Sequence, residues 1–301
     1  DNKNKNPKDS VQKEEKHYLR DVAYFTIRLL TSLKTGSISY SRNDGTTIPG
    51  FMPRTKFFGL TPKQDYAPGI AFVLGSQANI MNNAISHNWL TKDTLFNTAF
   101  NQKTTETLNA QLRIEQVKDF NIDVNFKKSR SEQYTCYYKF DEELGYVNGP
   151  LSPYTNGNYS ISVIAIKTLF VGMDDNNVSS TFQEFLSNRQ TIAQRLAEKN
   201  RNHNPNYTGE MVLDTNNGQY FPDGYGALSQ QVLIPAFLSA YLGTNANNQS
   251  LSPFLKMPFP NWKITYTGLS KLDFFKKWTN SITITSNYDC NYNIGSYYTN
   301  A

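Results

Sequence analysis

The chain has 301 residues and a formal charge of +5, from 30 basic and 25 acidic side chains that are scattered along its length. No clustered basic stripe occurs, so a nucleic-acid surface is not expected, and no run approaches the ~20 apolar residues that a membrane-spanning helix requires. Only 38% of residues are hydrophobic, yet the chain holds 19 Tyr, 19 Phe and 34 Asn, a composition that suits extended β structure joined by many polar turns.

Residues 1–17, DNKNKNPKDSVQKEEKH, are nearly all polar and are predicted to be a flexible segment. They lack the apolar stretch of a signal peptide, so an exported protein would carry this chain as part of a longer one. Residues 18–33 have an ambiguous pattern, after which SLKTGSISYSRNDG reads as a strand ending at a turn. GFMPRTKFFGLTPKQDYAPG is rich in Pro and Gly and reads as extended, IAFVLGSQ as a short strand, and the stretch after it, as far as Trp89, fits a helix.

The strongest pattern lies in TLNAQLRIEQVKDFNIDVNFKKSR. Leu108, Ala110, Leu112 and Ile114 alternate with Asn109, Gln111, Arg113 and Glu115; Phe120, Ile122, Val124 and Phe126 alternate with Asn121, Asp123, Asn125 and Lys127. A period of two belongs to β-strands, here 104–115 and 120–130. Pairing Ile114 opposite Phe120 centres a hairpin on Val117 and puts both apolar sets on one face. In a soluble protein that face would be covered by a second sheet or by helices. In an outer-membrane barrel it would meet lipid, with the polar face lining a watery interior.

CYYKF and YSISVIAIKTLF follow as strand candidates. In 180–199, Phe182, Phe185, Leu186, Arg189, Ile192, Ala193 and Leu196 recur at helical spacing, with Thr181 and Glu184 placed for a capping box. Arg195, Glu198 and Lys199 are expected to stay solvated. A second helix is predicted over 229–242, with Pro235 as a kink. WKITYTG, with Trp262, Ile264 and Tyr266 on one face, and SITITSNYDCNYNIGSYY return to strand. No internal repeat or linker divides 18–301.

Candidate chemistry is sparse. His17, His87 and His203 lack metal-ligand spacing. DDNN (174–177) and DTNNG (214–218) are fragments of a calcium-loop pattern without its further oxygen ligands, and read as polar turns. Glu142 and Glu143 are adjacent, so their side chains project apart. Neither a nucleophile elbow nor a phosphate loop occurs, and no catalytic residue, cofactor or enzymatic activity is expected. Cys136 and Cys290 fit either a disulfide or two free thiols.

Longer phrases carry a resemblance. FQEFLSNRQTIAQRLAEKN (182–200), DGYGALSQQVLIPAFLSAY (223–241), PFPNWKITYTGLSKLDFFKKW (258–278) and YNIGSYYTN resemble the SprA/Sov family, the very large outer-membrane proteins of the Bacteroidetes type IX secretion system. TGSISYSRNDGTTIPGFMP (35–53), APGIAFVLGSQ (67–77) and YSISVIAIKTLF (159–170) are similar too and occur in the same order, so the resemblance spans roughly 18–301. It implies a mainly β fold: an antiparallel segment of a very large outer-membrane β-barrel with helical inserts near 180–199 and 229–242. The family forms the translocon through which folded proteins leave the cell, and it is associated with gliding motility. The implied partners are outer-membrane lipid, a PorV-type barrel protein, a periplasmic plug protein and secreted cargo. On this reading Asn109, Gln111, Arg113, Glu115, Asn121, Asp123, Asn125 and Lys127 face the lumen. Leu108, Ala110, Leu112, Ile114, Phe120, Ile122, Val124 and Phe126 face lipid. The chain departs from the family in having far too few strands to close a large barrel. The alternative is a secreted, soluble β-rich binding or adhesion module whose apolar faces pack on one another.

Overall fold

The computed structural model describes residues 32–146, 149–215 and 218–300. The predicted flexible segment 1–17, the ambiguous stretch 18–31 and His17 lie outside the described residues. The fold is mainly β with antiparallel sheets, 38% strand against 24% helix. The chain falls into two compact units, one built on a large sheet and one, 161–260 with 290–292, built on two helices.

The sheet begins with β1 (Leu33–Thr47). After it come two short helices, α1 (Ile70–Val73) and α2 (Met81–Ser86). IAFV was expected to be strand; instead the N–H groups of Val73 and Leu74 bond back to Gly69 and Ile70. Gly69, at φ 98°, turns the chain immediately before them and leaves no extended entry into a sheet.

Two 18-residue strands form the centre, β2 (Phe100–Val117) and β3 (Phe120–Tyr137). Both outrun the expected 104–115 and 120–130, because the polar alternation of Asn101 to Thr105 and Ser129 to Gln133 also pairs. The register differs from the expectation: Ile114 faces Ile122, and the turn is Lys118–Asp119, with a bulge between Glu115 and Val117. Asp119, at φ 70°, supplies the left-handed residue of this tight turn. The slip is two residues, so each side chain keeps the face that the alternation gave it. A slip of one would have inverted both faces.

The small strands β4 (Phe140–Asp141) and β5 (Gly145–Tyr146) pair with each other, and β6 (Leu151–Ser162) joins the large sheet. CYYKF therefore divides between the end of β3 and the start of β4. YSISVIAIKTLF is strand only as far as Ser162; Ile166–Leu169 forms a helix, α3.

In the helical unit, α4 (Ser180–His203) packs on α5 (Gln230–Leu242). The hairpin of β7 (Met211–Asp214) and β8 (Gln219–Pro222) lies between them in sequence. Ile192, Ala193, Leu196, Phe221, Ala227, Val232, Ala236 and Ala246 form the buried core. The α4 cap is Ser179, whose hydroxyl accepts from the Phe182 N–H, and not the Thr181–Glu184 box, since Thr181 is already buried in the first turn. Arg195 is not left to solvent: it donates to the carbonyls of Ala246 and Gln249 at 2.6 and 2.7 Å. Helix α5 continues on both sides of Pro235 and ends at Gly243, in the left-handed conformation at φ 64°.

The chain closes with β9 (Asn261–Tyr266), a short helix α6 (Asp273–Lys276), β10 (Ile284–Tyr288) and β11 (Asn291–Asn300). The sheet order is β1-β2-β3-β6-β11; β9 also pairs with β3, and β10 with β9. At the Phe100 and Cys136 end, the sheet carries its own core of Ala67, Met81, Ala84, Trp89, Leu90 and Tyr138.

Candidate functional site

The face of the sheet that carries the even-numbered side chains of β2 and β3 changes character in three zones. At one end Phe100, Tyr134 and Cys136 lie in or against the core just described. At the other lies the apolar set singled out in the sequence. Ala110 stands opposite Phe126, Leu112 opposite Val124, Ile114 opposite Ile122, and the Val117 backbone opposite Phe120.

Neighbouring strands extend this set into a belt. β1 adds Ile38 beside Ala110 and Tyr40 beside Leu108, and β9 adds Trp262, Ile264 and Tyr266 beside Val124, Ile122 and Phe120. β10 adds Ile284 beside Tyr266, and Tyr288 stacked on Trp262 at 4.4 Å. Apart from Tyr288, the described belt side chains are half-buried or exposed, and Ile38 is 78% exposed. Neither hydrophobic core includes any of them.

Aromatic rings mark both ends of the belt: Tyr40 on the Leu108 row, and Phe120 packed on Tyr266 at 6.2 Å. With a rise of ~3.3 Å per residue, the Leu108 to Val117 stretch is roughly 26 Å long, allowing one residue for the bulge. A strand tilt of 35–45° would project that to about 20 Å, close to the ~25 Å apolar band of a membrane barrel.

Between belt and core runs a ladder of charge. Arg42, Glu106 and Arg130 lie side by side, as do Asp44, Thr104 and Glu132. Arg42 reaches Asp44 at 2.7 Å and Glu106 at 3.3 Å, Arg130 pairs with Glu132, and Tyr297 donates to Glu132 at 3.1 Å. Lys128 stands opposite Leu108, so the belt ends at that row. This ladder went unread in the sequence, because its members sit on three strands up to 90 positions apart (Arg42 to Glu132). The belt's extension into β1 did have a signal, since Ile38 and Tyr40 alternate with Ser37, Ser39 and Ser41.

The opposite face is polar along the same rows. Asn109 stands opposite Lys127, Gln111 opposite Asn125, Arg113 opposite Asp123, and Glu115 opposite Asn121. Arg113 Nε donates to Asp123 Oδ1 at 2.8 Å, and Lys34 pairs with Glu115. Asn109, Gln111, Arg113 and Lys127 are exposed and the other four are half-buried. An open groove over Ser37, Gln111, Arg113, Asp123, Asn125 and Lys263 makes the sheet concave on this side. A smaller hollow lies on the other face over the ladder, at Thr104, Glu106, Arg130 and Glu132, in keeping with a strongly twisted sheet.

The remaining sequence candidates are turns and helix ends. Asp174 accepts from the N–H groups of Asn176 and Val178, closing its own loop, and Asp214 begins the β7–β8 turn. Glu142 and Glu143 are exposed in the β4–β5 turn, where the N–H groups of Glu143 and Leu144 bond Asp141 and hold its carboxyl below the ordinary value. His87 and His203 bond carbonyls one turn back. Among the described residues no group of three His, Cys, Asp or Glu side chains is placed to hold a metal. Cys136 and Cys290 are both free thiols.

No protein-family model matches the chain, and no curated protein is similar to it.

Proposed function

We propose that this chain is a stretch of the wall of a very large outer-membrane β-barrel, the type IX translocon that exports folded proteins and is associated with gliding motility. The observation that carries the reading is the uncovered apolar belt, bounded by aromatic rings and backed by a concave polar face. Contiguous apolar surface of this extent is not normally left to water. Lipid satisfies it, and the aromatic rows then lie at the two interfaces. The resemblance of six phrases of the sequence to the SprA/Sov family supports the same reading and supplies the partners: a PorV-type barrel, a periplasmic plug and secreted cargo.

On this reading the polar face is the channel wall. Its ion pairs and amides hold water, and a hydrated wall does not grip the apolar surfaces of passing cargo. Helices α4 and α5 belong to an insert with its own core and do not cross the membrane; no helix among the described residues is long and apolar enough to do so.

Cysteine labelling tests the assignment in the membrane-assembled protein. A Leu112→Cys variant should react with a lipid-soluble maleimide and resist a membrane-impermeant one, and Gln111→Cys should do the reverse. If Leu112→Cys is shielded from both reagents, protein covers the belt, and the soluble binding module becomes the better reading.

A further inference from the structure

The connection between β9 and β10 leaves the belt at its Phe120–Tyr266 row. It is fastened there: the Thr267 N–H donates to the Asp119 carbonyl at 3.0 Å, and Lys271 Nζ reaches Asp119 Oδ2 at 2.5 Å. The absence of a side chain at Gly268 lets Tyr266 lie close, since a β-carbon there would stand 2.6 Å from its hydroxyl oxygen. Beyond this anchor the segment exposes large apolar groups instead of folding them away. Leu272 is 51% exposed, Phe274 73% and Trp278 80%.

Interleaved with these are Lys271, Lys276 and Lys277, all exposed, and Lys118 is exposed in the adjoining turn. Asp119 answers Lys271, and Asp273 answers Lys276 at 3.0 Å. Four lysines against two aspartates leave two positive charges on the turn and loop together. Residues 274–283, FFKKWTNSIT, contain no acidic side chain.

We propose that 268–279 is an interfacial anchor that docks on an anionic membrane surface, with Trp278, Phe274 and Leu272 entering the acyl boundary and the lysines bound to lipid phosphates. The inference rests on the lipid-facing reading of the belt and deepens it by naming the lipid. Indole and phenyl rings favour the headgroup level, where an apolar body meets a wet edge. Lysine stems extend over apolar surface while their ammonium groups reach phosphate. Each lysine near an anionic surface strengthens binding about fivefold, an effect that salt screens. Neither component suffices by itself: a weakly apolar loop holds a membrane durably only when charge is added.

The test uses the full chain reconstituted with vesicles of phosphatidylcholine alone, or with about a third of phosphatidylglycerol, some of the lipid brominated just below the headgroup. Tryptophan emission is compared between the unaltered chain and Trp278→Phe, whose site is too exposed for the change to disturb packing. Trp278 should contribute a blue-shifted, bromine-quenched component on anionic vesicles that weakens as salt is raised. Lys276→Gln with Lys277→Gln should weaken that component more than tenfold in lipid titre. Identical emission for the unaltered chain and Trp278→Phe on anionic vesicles would overturn the proposal, as would equal quenching on neutral and anionic vesicles. Labelling of Leu112→Cys in the same samples separates the two readings. Lipid-accessible Leu112→Cys with Trp278 still in water sinks the anchor and leaves the belt. A quenched Trp278 with Leu112→Cys shielded from both reagents keeps the anchor and sinks the belt.

Discussion

Leu112→Arg, set against Gln111→Arg, puts the largest energy on the question of what the belt meets. Leu112 is on the middle row, with Gly36 and Val124 as its lateral neighbours, and its Cδ2 fills the space where a Gly36 β-carbon would stand at 3.2 Å. Two belt rows lie on either side, so in a membrane it sits near the midplane. A guanidinium placed there costs about 2–4 kcal/mol, roughly thirtyfold to several hundredfold in the population of assembled barrel. In water the same substitution is mild. Neither core covers Leu112, so an arginine stem can lie along the sheet with its head solvated, at a cost of about 0.5 kcal/mol, little more than a surface change. Gln111, one residue away on the polar face, faces Ser37 and Asn125 and tolerates arginine in either medium. The assay is the amount of heat-modifiable, protease-resistant protein in the outer-membrane fraction, with total expression measured alongside. Leu112→Arg should nearly abolish assembly and Gln111→Arg should leave it unchanged. Full assembly of Leu112→Arg, or equal loss from both variants, would refute a hydrocarbon-facing belt.

Other expectations concern packing and titration. Ile192→Ala, at a fully buried site between α4, α5 and β8, should cost about 2–5 kcal/mol in chemical denaturation of the helical unit. Phe185→Ala should cost less, since that ring is only half-buried at the margin of the same core. Ser179→Ala removes the α4 cap and should cost about 1 kcal/mol, read as faster amide exchange in the first turn. Arg195→Met should cost about 1–3 kcal/mol, because the carbonyls of Ala246 and Gln249 lose their charged donor; no loss would mean that water replaces it. Asp141 is held below the ordinary carboxyl range by the N–H groups of Leu144 and Glu143. Its contribution is therefore complete above the unfolded value of about 3.9 and disappears as pH falls through the lowered one. An NMR titration should place its midpoint below that of a free aspartate, and Asp141→Asn should remove the step.

The hairpin and the division of its faces were legible because strand side chains alternate strictly. Once Leu108 to Ile114 and Phe120 to Phe126 are apolar at every second position, any register that keeps the parity gives the same two faces. The Val117-centred turn was wrong by two residues for a local reason: Asp119 accepts a left-handed backbone, and the bulge before Val117 absorbs the offset. IAFV and the later part of YSISVIAIKTLF misled because short apolar runs have no length in which period two and period 3.6 can be told apart. Arg195 was misread because sequence shows only that it is charged, whereas its carbonyl partners come from a loop 51 and 54 residues away.

The sequence by itself determined whatever depends on near neighbours along the chain: the two alternating strands, the amphipathic face of α4, and the end of α5 at Gly243. Only the tertiary structure decided what stands beside what. Arg42 meets Glu106, Trp262 meets Val124, and Tyr266 meets Phe120 across separations of 64, 138 and 146 residues. Those pairings turn one apolar hairpin face into a belt across five strands, close it with aromatic rows and place a charged ladder along its edge. The physical reason is that backbone hydrogen bonds join strands without regard to their side chains. Local sequence fixes the face on which a residue lies, and the lateral order of the strands fixes its company there.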